Sequence, residues 1–374
     1  MLFFDLALAP LSGYLFDKGY FRSVLATGSS IFVFCFFMLS LSGPHQYYEI
    51  FLSQGLGMGI GAGLIFLPLS AAVAQHFQRR KALAMGLLSS SSSLGAIVFS
   101  IAFNYLLNGT LTFGWAIRII AFVVLGCQVL GHTLISLPQA TSPDSTRDQD
   151  RVLEKGNTPV AVEPEQNTTK PFSGSDSTKK PVQPPVSFWD GAYVTVLLMG
   201  FIISLGTWFP SFYVELFAEQ HGISSQLSFF AIAIMNVSNI FGRILPNWLS
   251  DRWGALEVYI PCTFLCGAIG FAMLGCTSAY GLVLFTLFYG FFFGTSISLY
   301  LPVISSISPN GADIGKRMGV ALFPVGVASL IGTPIGGAIL GRGYVWWKGV
   351  TFSSVSILAS GCLLIALKLA HRSR

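Results

Sequence analysis

Charge is what this 374-residue chain has least of: Asp, Glu, Lys and Arg make up only 10% of it, against roughly 25% in soluble globular domains. A soluble protein with one core is excluded, because 53% hydrophobic content leaves more apolar surface than a single core absorbs. The basic residues form no stripe interleaved with aromatics, which speaks against a nucleic-acid surface. The histidines, His45, His76, His132, His221 and His371, are scattered and join no acidic cluster, so no metal centre and no enzyme built on a nucleophile and a base is expected. Cys35, Cys127, Cys262, Cys266, Cys276 and Cys362 all fall inside apolar runs, which argues against a disulfide framework. Cys262 and Cys266 stand at i, i+4 spacing, but no His or carboxylate joins them as ligands. No cofactor is expected. No cleavable leader is visible, since an apolar run follows Met1 with no basic stretch before it. That run is expected to serve as an anchor.

What the chain has in quantity is apolar runs able to cross ~30 Å of hydrocarbon at ~1.5 Å per helical residue. Five lie near Leu2–Phe16, Val24–Leu41, Tyr48–Ala74, Ala82–Leu107 and Phe113–Leu137. Six more lie near Ala192–Phe212, Leu227–Leu249, Val258–Cys276, Tyr280–Ile304, Met318–Leu340 and Tyr344–Leu369. The fold expected is an all-α integral membrane protein of about eleven spans, in contact with a lipid bilayer. Between the two sets, Pro138 to Ser187 is rich in Pro, Ser, Thr and charge and poor in aromatics, so it reads as disordered. Its six basic residues are matched by seven acidic ones, which weakens a polybasic lipid-binding role. The organisation expected is a bundle over residues 1–137, a linker over 138–189 and a second bundle over 190–374.

With the linker in the cytoplasm, that side receives Lys18, Arg22, Arg79, Arg80, Lys81, the linker's basic residues, Arg252, Lys316, Arg317, Lys368, Arg372 and Arg374. The opposite side keeps Arg342 and Lys348. The positive-inside rule selects this orientation. It puts Met1 outside, and the first run is short for a span, so a preceding helix is expected to be missing from this chain.

The halves repeat. Leu15-Phe16-Asp17-Lys18 recurs as Leu249-Ser250-Asp251-Arg252, placing Asp17 and Asp251 234 residues apart. Leu67-Pro68 recurs as Leu301-Pro302, also 234 residues on, and Met85-Gly86 recurs as Met318-Gly319 at 233. Three weak matches in order at one offset form a strong signal. They imply parallel repeats related by an axis along the membrane normal.

The loop from Gly13 to Arg22 resembles the Gly-x-Leu-x-Asp-Arg/Lys loop between the second and third spans of the major facilitator superfamily, and Asn247 to Gly254 looks like its second-half copy. Phe77-Gln78-Arg79-Arg80-Lys81-Ala82-Leu83-Ala84-Met85-Gly86 resembles the motif leading into the fifth span of the monocarboxylate transporter family, with His76 where Tyr is usual and Ser91 where Gly is usual. The Gly13 to Arg22 run, Gln54 to Gly63, Trp115-Ala116-Ile117-Arg118 and Gly242-Arg243 look most like the fungal branch of that family. The resemblance implies a two-bundle transporter that rocks about a midplane site.

Intramembrane polar residues are costly and so are functional candidates. Asn236, Asn239, Arg243 and Asn247 share one helix face by their spacing. Arg243 lies about 12 Å and Asn239 about 18 Å along the axis from Asp251. A planar guanidinium suits a carboxylate guest; the competing reading is a structural pairing that ties helices together. The resemblance implies an Asp four residues before this Arg in proton-coupled members. Asn239 stands there and cannot titrate near neutral pH, so facilitated diffusion and coupling through another group both stay open, with protons a candidate co-substrate. Arg118 could line the cavity or snorkel to the headgroups. Asp17 with Lys18, and Asp251 with Arg252, read as interbundle salt-bridge latches that gate access, or as topology-setting charges; Arg79, Arg80 and Lys81 read as gating residues or as positive-inside anchors. Gly55, Gly57, Gly59, Gly61 and Gly63, the serines from Ser89 to Ser93, and Gly332, Gly336 and Gly337 read as packing faces. Asn108-Gly109-Thr110 is a sequon in a loop too short to expect glycosylation.

The function expected is secondary transport of a monocarboxylate or related small organic solute by alternating access, at the plasma membrane before an internal one. Export of a fungal secondary metabolite, a riboflavin-like vitamin permease and a truncated non-transporting remnant are the alternatives.

Overall fold

An apolar run in a bilayer finds no water for its amide groups, so it must close its own hydrogen bonds as a helix. The computed structural model describes residues 1–43, 46–77, 79–109, 112–135, 188–308 and 313–372, and no strand occurs among them. Two short helices, α1 (Leu2–Ala7) and α2 (Ala9–Asp17), open the chain. Ten longer ones follow: α3 Phe21–Leu39, α4 Tyr47–His76, α5 Lys81–Leu107, α6 Phe113–Leu134, α7 Gly191–Gln220, α8 Ser225–Trp253, α9 Ala255–Gly275, α10 Ala279–Ser306, α11 Ile314–Leu340 and α12 Trp346–Ala370. Each of the ten is long and apolar enough to cross a membrane. The stretch read as a linker lies outside the described residues except for its last few positions, and Thr110 of the sequon lies outside them as well.

Three elements depart from the expected runs, each for a local reason. The first run is not one rod. Pro10 has no N–H to give the Leu6 carbonyl and its ring crowds that oxygen, so the helix breaks at Leu8, with φ −86° and ψ −6°. Helix α7 continues past the expected Phe212, because Val214-Glu215-Leu216-Phe217-Ala218-Glu219-Gln220 contains mostly good helix formers beyond Pro210. It stops at Gly222, where φ is +73°. There the Ile223 N–H donates to the Ala218 carbonyl at 3.0 Å and the Gly222 N–H to Glu219 at 3.1 Å, the double bond pattern of a left-handed glycine stop. Helix α10 is interrupted at Leu299, one turn before Pro302, which cannot donate to Ser298.

Small residues set the closest approaches. A Cβ on Gly28 of α3 would press on Leu64 and the Gly61 carbonyl of α4, and one on Gly61 would press on Phe32 and the Gly28 carbonyl. Gly332, Gly336 and Gly337 of α11 meet Leu205, Phe209 and Tyr213 of α7. Gly57, Gly59 and Gly63 likewise meet neighbouring helices, whereas a Cβ on Gly55 would meet only Phe51 of its own helix.

Packing within the first half joins α3 to α4 and α6, and α1 and α2 to α4; within the second it joins α8 to α10, α7 to α11 and α12, and α9 to α12. Two contacts dominate between the halves: α5 against α8, and α11 against α1 and α2. Under the repeat, α2 corresponds to the end of α8, and α5 to α11. Each contact is therefore the image of the other. Helix α5 shows how one segment serves two neighbours: Leu87, Leu94, Val98, Ile101 and Tyr105 stay exposed along one face, as lipid contact requires, while Ala82, Met85, Gly86 and Ser93 are buried.

Gly242 of α8 lies so close to the Phe291 backbone of α10 that no Cβ fits, while Gly126 of α6 has nothing within 4 Å. Gly242→Ala is expected to lower stability by about 1–3 kcal/mol through overpacking, and Gly126→Ala to raise it by up to ~1 kcal/mol through helix propensity. Thermal unfolding midpoints of the two detergent-solubilised variants check both signs.

Candidate functional site

The helix spacing of Asn239, Arg243 and Asn247 puts all three on the buried face of α8. Placing a guanidinium at this depth is costly unless its donors are satisfied. Arg243 Nε donates to Asn239 Oδ1 at 2.6 Å, one turn back on its own helix. Its Nη1 crosses to the first half, donating to the Ser92 hydroxyl at 2.7 Å and to the Ser89 carbonyl. Nη2 has no protein partner among the described residues, so part of the five-donor fork remains for a guest. Asn247 Nδ2 donates to the Arg243 carbonyl and to Ser298 Oγ, each at 2.7 Å. Gly86 makes the crossing feasible, because a side chain there would strike the Arg243 carbonyl and Asn247.

Arg243 lines a cavity of about 250 Å³ between the halves. Leu2, Leu6, Phe66, Met85, Ile203, Leu301, Leu322 and Val325 give it an apolar wall. Polar side chains besides Arg243 include Ser89 and Ser92 from α5, Ser204 and Thr207 from α7, Ser70 from α4, Tyr259 from α9, Ser296, Ser298 and Tyr300 from α10, and Asp5 from α1. Tyr259 donates its hydroxyl to the Ser296 carbonyl at 2.7 Å, and Tyr300 to the Ala321 carbonyl at 3.0 Å. Both phenols hold helices together. A mostly apolar chamber with a few placed polar groups is the usual form of a small-molecule site.

The residues singled out from sequence separate into three groups. Arg243 reaches the cavity, with Asn239 buried behind it as its support. Asn236 bonds the Ile232 carbonyl of its own helix at 3.0 Å and does not line the cavity. Arg118 also stays out of it, donating to Ser40 Oγ at 3.2 Å and lying 5.1 Å from the Trp115 ring centre. Asp5, Ser89, Ser92, Tyr259 and Tyr300 were not singled out as cavity residues. The signal for Asp5 was present as a lone acid in an apolar run.

Asp17 and Asp251 each meet the start of a helix in the other half. Asp251 accepts the Ala82 and Leu83 N–H groups at 2.9 Å each, at the first turn of α5. Asp17 accepts those of Gly315 and Lys316 at 3.2 and 2.7 Å, at the first turn of α11. The two sites are images under the repeat. Carboxylates satisfy the orphan N–H groups there and complement the positive end of the helix dipole. Both aspartates, read from sequence as latches, accept backbone N–H groups across the halves. Lys18 lies over the Tyr14 ring at 4.5 Å and Arg252 over Trp248 at 4.2 Å. Arg79 and Arg80 are exposed, and Lys81 opens the helix that Asp251 caps.

The sequence profile of the Major Facilitator Superfamily matches residues 1–309. The agnestins efflux protein AgnL12 of Paecilomyces divaricatus is 34% identical over 359 residues, 96% of this chain and 73% of that protein. The aspyridones efflux protein apdF of Emericella nidulans is 29% identical over 367 residues, covering 98% and 67%. The human organic anion transporter MFSD10 superposes with a TM-score of 0.73 at 14% identity, over 97% of this chain and 81% of that one. The transporter FucP in its outward conformation gives 0.68 at 13%, over 98% and 88%.

Each cap contributes about 1 kcal/mol to the contact between the halves, by the usual cost of removing a capping side chain. In a form whose native cysteines are replaced by alanine, a Ser298→Cys thiol beside the cavity reports access from the Asp17 and Asp251 end. Adding Asp17→Asn and Asp251→Asn is expected to speed its modification by an impermeant maleimide from that end several-fold, whereas unchanged labelling would mean that the caps do not hold the halves together.

Proposed function

The chain belongs to the Major Facilitator Superfamily, a family of membrane transporters, and from that premise we propose that it exports a small, mostly apolar organic acid across the plasma membrane by alternating access between two bundles. The observation that carries this reading is Arg243: a cation at bilayer depth, in an apolar cavity, with donors to spare. A carboxylate is the guest that a partly filled guanidinium fork fits best. The apolar wall supplies affinity for the rest of the molecule. The efflux proteins of fungal metabolite pathways among its relatives favour outward movement, and so bring the export alternative forward from the general monocarboxylate expectation.

The same geometry suggests how binding is coupled to movement. Arg243 Nη1 ties α8 to α5 through Ser89 and Ser92. A carboxylate that docks on Nη2 alone leaves this tie intact; one that docks in two-pronged fashion must displace Ser92 or Asn239. Displacing Ser92 trades a contact between the halves for a contact with cargo, and that exchange loosens one of the two interfaces. The Asp17 and Asp251 caps sit at the end of the molecule rich in Lys and Arg, which the positive-inside rule puts in the cytoplasm. Their release would open that end, so gating by Asp17, Asp251 and the helix starts at Lys81 and Lys316 is part of the proposal. Lys18, Arg252, Arg79 and Arg80 serve orientation in this reading.

Vesicles containing the protein should take up labelled aromatic and branched organic acids saturably. Arg243→Ala should lower the rate at limiting cargo by roughly 30-fold or more, the scale of removing one buried partner of a charged hydrogen bond, with the amount of folded protein unchanged. Equal transport of an acid and its neutral amide, or undiminished uptake by the variant, would remove the organic-acid assignment.

A further inference from the structure

Asp5 is the only carboxylate that lines the central cavity among the described residues. It lies on the short helix α1 with Leu2, Phe3, Phe4 and Leu6 as its neighbours. Its Oδ1 is shut away with no hydrogen-bond partner. The residue also borders a second chamber, walled by Phe32 of α3, Phe66 of α4 and Gln128 of α6. A buried oxygen without a donor is expensive for a structural role. An intramembrane carboxylate in that condition marks a path for a proton or a solute.

The repeat says what Asp5 corresponds to. Asp5 and Asn239 are 234 residues apart, the offset that also relates Asp17 to Asp251 and Pro68 to Pro302. The Asn239 amide oxygen accepts from Arg243 Nε, and the amide cannot titrate. The counterpart of Arg243 in the first half, at the same offset, is Ala9. One half therefore presents an acid without a neighbouring base, and the other a base supported by an amide. The two line one cavity, each from its own half of the chain, and no salt bridge joins them among the described residues.

The groups that could compete for a proton are few. Arg243 faces Asp5 from α8, Tyr259 from α9 and Tyr300 from α10, with both phenols donating to backbone carbonyls. The residues of α4, α5 and α11 in the cavity wall, Phe66, Ser70, Met85, Ser89, Ser92, Leu322 and Val325, carry no charge. His132 of α6 is turned to Ser29 of α3 at 2.9 Å. The Met1 amino group is the charged neighbour on its own segment.

We propose that Asp5 is the proton-carrying residue of this transporter, loading and releasing one proton per cycle from the half opposite Arg243. The step is a proton transfer alone: hydronium on one side gives its proton to the Asp5 carboxylate, and the resulting carboxylic acid returns it to water on the other. Ionised Asp5 and a guest carboxylate on Arg243 would place two negative charges in one low-dielectric chamber. The guest anion and the proton therefore load together, and the acid crosses as an electrically neutral sum. This rests on the organic-acid reading above.

The test uses the full chain in vesicles with labelled phenylpyruvate, an aromatic oxo acid that stays ionised over the working range. Two readouts separate the two proposals: exchange of label for unlabelled acid without a gradient, and accumulation under a one-unit pH gradient. The unmodified protein should do both, with accumulation of about ten-fold, since one proton per anion converts each pH unit into one decade. Asp5→Asn should exchange at a rate independent of pH and lose the accumulation, Asp5→Glu should keep it, and Asp5→Asn with Asn239→Asp should regain it. Accumulation by Asp5→Asn equal to that of the unmodified protein overturns the proposal, as does exchange without accumulation by the unmodified protein. Absence of exchange altogether counts against the organic-acid reading. In that event infrared difference spectra between acid and alkaline pH still decide this one, through a carboxyl band present in the unmodified protein and missing from Asp5→Asn, whose absence from both retires the role.

Discussion

A guanidinium buried among apolar helices is the constraint around which this molecule is arranged. Left unpaired, the Arg243 cation would cost more than the packing of one helix returns. The surrounding residues answer that cost. Asn239 takes Nε, Ser89 and Ser92 take Nη1, and Gly86 and Gly294 lack side chains where Arg243, Asn247 and Asn239 need room. Because two of the partners belong to the other half of the chain, satisfying the charge also ties the halves together. The cation that lines the cavity is also a joint between the halves.

The second organising feature is the internal repeat. Where the halves meet, α11 lies on α1 and α2, and α5 lies on α8. Each pairing closes at one end with an aspartate from one half capping a helix of the other. Such caps suit a carrier better than salt bridges would. A backbone N–H cannot move away from its helix, so the contact is made or broken by the whole helix and not by one flexible side chain. The symmetry fails at the cavity, where the first half has Asp5 at the position that corresponds to Asn239, and Ala9 at the one that corresponds to Arg243. That difference gives an otherwise two-fold chamber a polar direction.

Proline and glycine decide how straight these helices are. Pro10 and Pro302 each go with a break about one turn or less before them, while Pro210 sits inside a helix that continues through it. The break at Leu8 separates the segment that carries Asp5 from the segment that carries Asp17. The cavity carboxylate and the capping carboxylate of the same run therefore belong to different pieces, joined at Leu8.

The amino-acid sequence by itself determined that this is a multispan helical membrane protein, that it contains two related halves and that Arg243 is its most unusual residue. Those conclusions rest on local physics: hydropathy over ~20 residues, a fixed offset, and the cost of charge in hydrocarbon. Helix ends were legible to within a few residues where an apolar run stops at a loop, and were misjudged where a helix continues past its apolar run into glutamates, as α7 does. What the tertiary structure alone decided was which polar residues meet. Asn239 is one turn from Arg243 on the same helix and its contact follows from spacing, whereas the partners Ser89 and Ser92 lie more than 150 residues away and are brought to the guanidinium only by the packing of α8 on α5. Arg118 satisfies itself with Ser40 and Trp115, far along the chain and beside it, for the same reason. Asp5 looked like an incidental acid in an anchor until the fold turned it toward the chamber that Arg243 lines, since facing is a property of assembled helices and not of the order of residues along one of them.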